Sequence, residues 1–184
     1  MNGKHESTMS IKKASVYAAI FSVASYAVAA AIALSSGLYA VNIFADPILN
    51  LTVPLLIISV GIQIINRTYG PLLIGLISAV LYTISFLPFI AIPLLLIAII
   101  VEVITRFMGY RSLKSVIIYT TIAGGLEGIL STLLALYMIK VPAPVVTALY
   151  IWVGVSIGMF AESALMGFIA YQISSYLIKS GIVK

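Results

Sequence analysis

The sequence predicts an all-α polytopic membrane protein, a bundle of six transmembrane helices with both termini in the cytoplasm. Composition is the first observation behind this. Hydrophobic residues make up 62% of the 184 and charged residues 8%, whereas soluble domains carry roughly 25% charged residues. So few charges cannot wet a surface, and lipid is the solvent that suits the remainder. Second, apolar runs of near-spanning length follow one another, broken by charges, prolines and glycines. Third, Lys and Arg fall almost entirely into alternate connections.

A polar tail covers residues 1–11, and one transmembrane domain covers 12–184. The first helix is expected over Lys12–Ser36. Its apolar core is too long for a signal peptide and no small-residue cleavage site follows, so it reads as a retained helix. A loop passes through Gly37, Asn42 and Asp46-Pro47. The second helix is expected over Pro47–Asn66 and stops at the turn-forming stretch Asn66-Arg67-Thr68-Tyr69-Gly70-Pro71. The third covers Pro71–Leu87, and Pro88 and Pro93 bracket a turn. The fourth, Pro93–Met108, is short, which points to an earlier start or a thinned bilayer. The fifth covers Leu113–Ile139 and ends before Lys140, Pro142 and Pro144. The sixth, Thr147–Ile178, exceeds a perpendicular span.

With six spans, Lys4, Lys12, Lys13, Arg67, Arg106, Arg111, Lys114, Lys179 and Lys184 share one side, and Lys140 alone lies on the other. The positive-inside rule makes the crowded side cytoplasmic and the compartment the cell membrane. The same placement explains the net charge of +5 without a nucleic-acid partner.

Several chemistries lack their residues. There is no cysteine, and the single histidine, His5, lies in the polar tail. Thiolate chemistry, a histidine metal site and a histidine-activated serine are thereby excluded. No phosphate-binding Gly-rich loop ending in Lys-Ser or Lys-Thr occurs. The chain reads as a non-enzyme without a cofactor.

Three carboxylates interrupt apolar runs: Glu102, Glu127 and Glu162. Each costs about 2.5–3.5 kcal/mol at a helix centre, and such residues commonly mark ligand or ion paths. Glu102 lies four residues before Arg106, so a structural ion pair accounts for it. Glu127 stands in Gly124-Gly125-Leu126-Glu127-Gly128, where glycines leave room around a carboxylate or admit another helix. Glu162 lies near mid-depth in the sixth helix.

On the outer half, Tyr39, Asn42, Asn50, Tyr82, Tyr137, Tyr150 and Trp152 form either an interfacial aromatic belt or a pocket for a planar ligand. The candidate substrate-binding residues are therefore Glu127, Glu162, Trp152, Tyr150, Tyr137, Tyr82 and Asn50. Ala14, Ala18 and Ser22 make a flat strip on the first helix, and Gly154 and Gly158 a shorter one on the sixth.

Lys12-Lys13 ahead of this Ala-x-x-x-Ala strip, in a chain of about six helices, resembles the substrate-binding S component of energy-coupling factor vitamin transporters. Gly70-Pro71, Gly75 and Ala79 within Tyr69–Ala79 are similar to a Gly-Pro, Gly, Ala/Gly progression in that family's middle helices. The resemblance covers the whole chain. It departs from the family in the short fourth helix and a less regular alanine strip. It implies capture of a small vitamin-like molecule from outside, with energy from a transmembrane T component and two ATPase subunits. It also implies that Ala14, Ala18 and Ser22 contact the T component. Buried carboxylates and outer aromatics suit a cationic, planar ligand such as thiamine or its pyrimidine precursor. Two other functions remain open from the residues alone. One is a small secondary transporter or channel relaying protons through Glu127 and Glu162, the other a structural subunit of a larger membrane complex.

Overall fold

The structure is a computed structural model that describes residues 9–36, 48–49, 51–139 and 149–182. Tyr39, Asn42, Asp46, Asn50, Lys140 and the residues before Met9 lie outside the described residues. Every long element among them is a helix: α1 Ile11–Ser36, α2 Val53–Ile65, α3 Gly70–Ile84, α4 Pro88–Met108, α5 Leu113–Ile139 and α6 Leu149–Lys179. Four of these, α1, α4, α5 and α6, are long and apolar enough to cross a membrane. Helices α2 and α3 have 13 and 15 residues, or about 20 and 22 Å at 1.5 Å per residue.

The helix boundaries follow local chemistry. Helix α4 begins at Pro88, not Pro93, which corrects the expected start. Pro88 takes a position in the first turn, where an N–H has no helical partner to lose. Pro93 lies early enough that its missing N–H costs the ladder one bond near the start. Helix α3 ends at Ile84, earlier than expected. Phe86 adopts a left-handed φ of 58°, Phe86 N donates to Thr83 O (3.1 Å), and Leu87 N donates to Tyr82 O (2.9 Å). These paired bonds close the last carbonyls in a Schellman stop, and Pro88 prevents the helix from running on. Asn66 ends α2 with a left-handed φ of 42° and its N–H on Ile62 O at 3.0 Å, a conformation that Asn tolerates. Helix α2 is also shorter than expected at its start, where Leu51 N and Thr52 N bond back three residues in tight turns.

The helices form a closed ring. Around it, α1 packs on α3, α3 on α4, α4 on α5, α5 on α6, α6 on α2, and α2 on α1. Helix α2 leans inward and touches α3 and α5 as well. Its residues Ser59, Val60, Gly61, Ile62, Gln63, Ile64 and Ile65 are all buried. Seven successive buried residues cover every face of a helix, so this half of α2 is a central post. Large apolar side chains such as Val16, Ile20, Leu76, Ile99, Ile157 and Leu165 are exposed around the outside. Water-soluble surfaces do not present apolar area on this scale, and the chain is membrane-embedded.

Several contacts gather the basic residues at one end of the ring. Arg67 in the α2–α3 connection donates to Met9 O, and Arg111 Nε donates to Gln63 O at 3.0 Å. Glu102 accepts from Tyr69 N at 2.9 Å and pairs with Arg106 Nε at 2.8 Å. The Arg106 guanidinium also lies 4.8 Å from the Tyr69 ring centroid. The start of α1, both turns and the end of α4 therefore meet.

The small-residue strip on α1 is used inside the bundle. Ala14, Ala18 and Ser22 are fully buried. Ala14 and Ala18 pack in one core cluster with Ile62, Ile65 and Ile74, and Ser22 Oγ donates to Ile74 O at 3.0 Å. The strip expected to meet a T component thus packs within the bundle in this structure. Lacking bulk, these residues let α1 close on α2 and α3, and so they are not a free surface. By contrast, Gly154 and Gly158 face open space.

The glycines accordingly divide into two kinds. A Cβ on Gly75 would meet Ala98 Cβ at 2.2 Å, whereas a Cβ on Gly158 would meet nothing within 4 Å. Gly75→Ala is expected to lower the melting temperature in detergent, and adding Ala98→Gly to restore part of it. Gly158→Ala is expected to raise it, helix propensity contributing about 1 kcal/mol. Scanning fluorimetry of the purified variants measures all three.

Candidate functional site

The helices form a half-open cavity of about 90 Å³. One water needs roughly 10–15 Å³ on this measure, so the cavity holds several waters or one small organic molecule. Its wall comes from α1 through α5, with α2, α3 and α4 supplying most of it. The lining is mainly aliphatic. Its hydrogen-bonding side chains are Ser25, Ser59, Ser78, Tyr82, Tyr119 and Glu127.

Periodicity explains which residues reach the wall. Tyr119, Ala123 and Glu127 recur every four residues along α5, which places them on one helix face. The neighbouring face of α5 is glycine-rich. A Cβ on Gly124 would meet Ser163 Oγ at 2.1 Å, and one on Gly125 would meet the Phe160 ring at 2.3 Å. A Cβ on Gly128 would meet Met159 Sδ at 2.6 Å. Of the two roles open to these glycines, close approach of another helix is the one observed. Because α6 seats against them, α5 is held in a fixed rotation, and Glu127 faces the cavity flank. On α3, Pro71, Ile74, Gly75, Ser78 and Tyr82 share the inward face.

Most of the wall's polar groups already have partners. Ser25 Oγ donates to Pro54 O at 3.0 Å, and Ser59 and Thr120 hydroxyls lie 2.6 Å apart. Tyr119 OH donates to Ser59 O at 3.4 Å. Tyr82 packs edge-on against Tyr26 with ring centroids 5.2 Å apart, and Tyr26 is hydrogen-bonded to Ser85. This tyrosine pair stands at the end of the ring away from the arginines.

The expected site residues separate. Glu127 and Tyr82 line the cavity. Trp152 is half-buried one layer behind it, in a cluster with Leu51 and Leu55, which do line it. Glu162 is half-buried on α6, which contributes nothing to the lining. Tyr137 and Tyr150 are 83% and 78% exposed, where an interfacial belt puts them. Asn50 lies outside the described residues.

Residues that were not expected also matter. Gln63 is buried; its Nε2 donates to Ser59 O at 3.1 Å, and its Oε1 accepts from Ser174 Oγ. Ser59 and Gln63 are four residues apart and are the hydrogen-bonding side chains of an otherwise apolar helix, a spacing that could have marked an inward polar seam. Ser78 and Tyr119 gave no such signal, because isolated serines and tyrosines are common in membrane helices.

Comparison of this chain with protein-family models, with curated proteins and with solved structures finds no match.

Glu102 and Glu127 lead to opposite expectations. Glu102 is 3% exposed and its partner Arg106 is 44% exposed. Glu102→Leu strands Tyr69 N and is expected to cost about 1–3 kcal/mol. Glu127→Leu replaces a charge-bearing group on an aliphatic wall and is expected to stabilise by about 1 kcal/mol, or about 2–4 °C. Melting curves of both variants in one detergent check the opposed signs.

Proposed function

We propose that this chain is a substrate-binding membrane subunit of an importer of the energy-coupling factor type, capturing a small molecule in the central cavity. The cavity with Glu127 on its wall is the observation that carries this reading. A mainly aliphatic wall favours a ligand with a large apolar fraction, and one carboxylate favours a single positive charge on it. A small cationic heterocycle, of the thiamine or pyrimidine-precursor kind, meets both conditions.

The remaining features fit the same scheme. Six spans with cytoplasmic termini place the arginine end inside and the Tyr26–Tyr82 end outside. Helices of 13 and 15 residues are accommodated by local bilayer thinning and by the turns that precede α2. The sequence carries no phosphate-binding loop, so uptake energy comes from ATPase subunits acting through a T component. The resemblance assigns the contact with that partner to Ala14, Ala18 and Ser22, which pack within the bundle in this structure. A proton relay has less support, because Glu162 does not share the cavity with Glu127.

Calorimetric titration with cationic heterocycles, thiamine and its aminopyrimidine precursor among them, is expected to give saturable binding. Glu127→Gln is expected to weaken it by about tenfold or more, the scale of a charge-assisted hydrogen bond. Absence of heat or stabilisation with every cationic heterocycle would eliminate this substrate class. In liposomes, uptake is expected to need co-reconstituted ATPase and T subunits. Proton-driven uptake by the chain alone would instead establish the relay.

A further inference from the structure

The cavity wall carries one hydroxyl whose situation differs from that of the others. Serine or threonine within a helix commonly turns its hydroxyl back to the carbonyl four residues earlier. This chain does so repeatedly: Thr83 to Ala79 O at 2.7 Å, Thr105 to Val101 O at 2.8 Å, Thr121 to Ile117 O at 2.6 Å, and Ser163 to Met159 O at 2.7 Å. Ser78 is 5% exposed and lines the cavity, yet its Oγ has no hydrogen-bond partner among the described residues.

Its neighbours explain why. The carbonyl four residues before Ser78 is Ile74 O. A carbonyl has two lone pairs. The helix ladder directs the Ser78 N–H to one of them. The Ser22 hydroxyl of α1 donates to the same oxygen at 3.0 Å and competes there with Ser78. Ser78 is thus displaced from its ordinary acceptor by a residue of another helix, and the O–H of this cavity-lining residue is left without one among the described residues. A buried hydroxyl without a partner is held at a cost in stability. That cost is recovered when a ligand supplies an acceptor.

We infer that Ser78 is a ligand-contacting residue, kept available by Ser22 as a positioning residue, and that the ligand carries a ring-nitrogen or carbonyl-type acceptor besides its positive charge. The inference rests on the cavity being the binding site. Within that site it narrows the ligand class from cationic apolar molecules to cationic molecules with a second, accepting heteroatom. Ser22 is fully buried and does not line the cavity, so it acts through Ile74 O and not by touching the ligand.

Benzylamine and the three isomers of aminomethylpyridine serve as probes. All carry a cationic amine on one ring, and the pyridines add an acceptor at one of three positions. Titration of the full chain in detergent is expected to show at least one pyridine isomer binding about three- to tenfold tighter than benzylamine. Ser78→Ala is expected to remove that preference, so that within this variant the pyridine isomers and benzylamine bind alike, and its melting curve is the folding control. Ser22→Ala frees Ile74 O for Ser78 to bond back and is expected to lower the preference too. Adding Ser22→Ala to Ser78→Ala is expected to change it no further, the non-additivity of residues acting through one group.

Benzylamine binding with no pyridine preference, or a preference that survives Ser78→Ala, would overturn the Ser78 inference and leave the cavity reading standing. A preference lost in Ser78→Ala but intact in Ser22→Ala would overturn the positioning role. No binding of any of the four probes would remove both the inference and the cavity reading.

Discussion

Inside hydrocarbon, a polar group must find its partner within the protein, because no water is there to supply one. The buried half of α2 is where this constraint bears hardest. Gln63 and Ser59 sit on a helix enclosed on all sides. Their bonds reach α5 through Thr120 and Tyr119, α6 through Ser174, and the α4–α5 turn through Arg111. Each of these bonds is available only when the surrounding helices stand in one arrangement. An aliphatic post could slide or rotate at little cost, whereas this one is keyed.

The cavity lies beside the keyed post, whose Ser59 and Ile62 line it. Around its buried half, small residues draw the ring tight: Ala14 and Ala18 of α1 against α2 and α3, and Gly75 of α3 against Ala98 of α4. Gly124, Gly125 and Gly128 do the same between α5 and α6. The cavity nevertheless extends along this half, since Ser59 and Ile62 of α2, Gly75 of α3 and Ala98 of α4 all line it. The wall there is aliphatic except for a few groups, one of them a carboxylate. A carboxylate in such a wall is held at a cost in stability, which is the usual condition of a binding site.

Glu102, which is buried, and Glu127, which is half-buried, show how similar sequence contexts diverge. Glu102 is absorbed by structure: it holds Tyr69 N and Arg106 and fastens the α2–α3 turn to α4. The i to i+4 spacing made that pair legible before any tertiary contact was known. Glu127 has no charged neighbour at such spacing, and its role depends on which way α5 is turned. The glycines beside it were legible as a packing feature or as space. Only the seating of Ser163, Phe160 and Met159 against them shows which, and with it the direction Glu127 faces.

By itself the sequence determined the membrane class, the order and approximate bounds of the long helices among the described residues, and the segregation of Arg67, Arg106 and Arg111. These follow from composition, run length and charge, which act on each segment separately. It also narrowed the polar residues in apolar runs to a short set that included Glu127 and Tyr82. Tertiary structure decided which members of that set meet, and it separated Glu162, Trp152, Tyr137 and Tyr150 from the cavity. It turned the Ala14–Ser22 strip inward, and it let Ser22 take the carbonyl that Ser78 would otherwise use. Helix rotation and contact across 52 positions of sequence are set by packing among several elements at once. No local pattern encodes them.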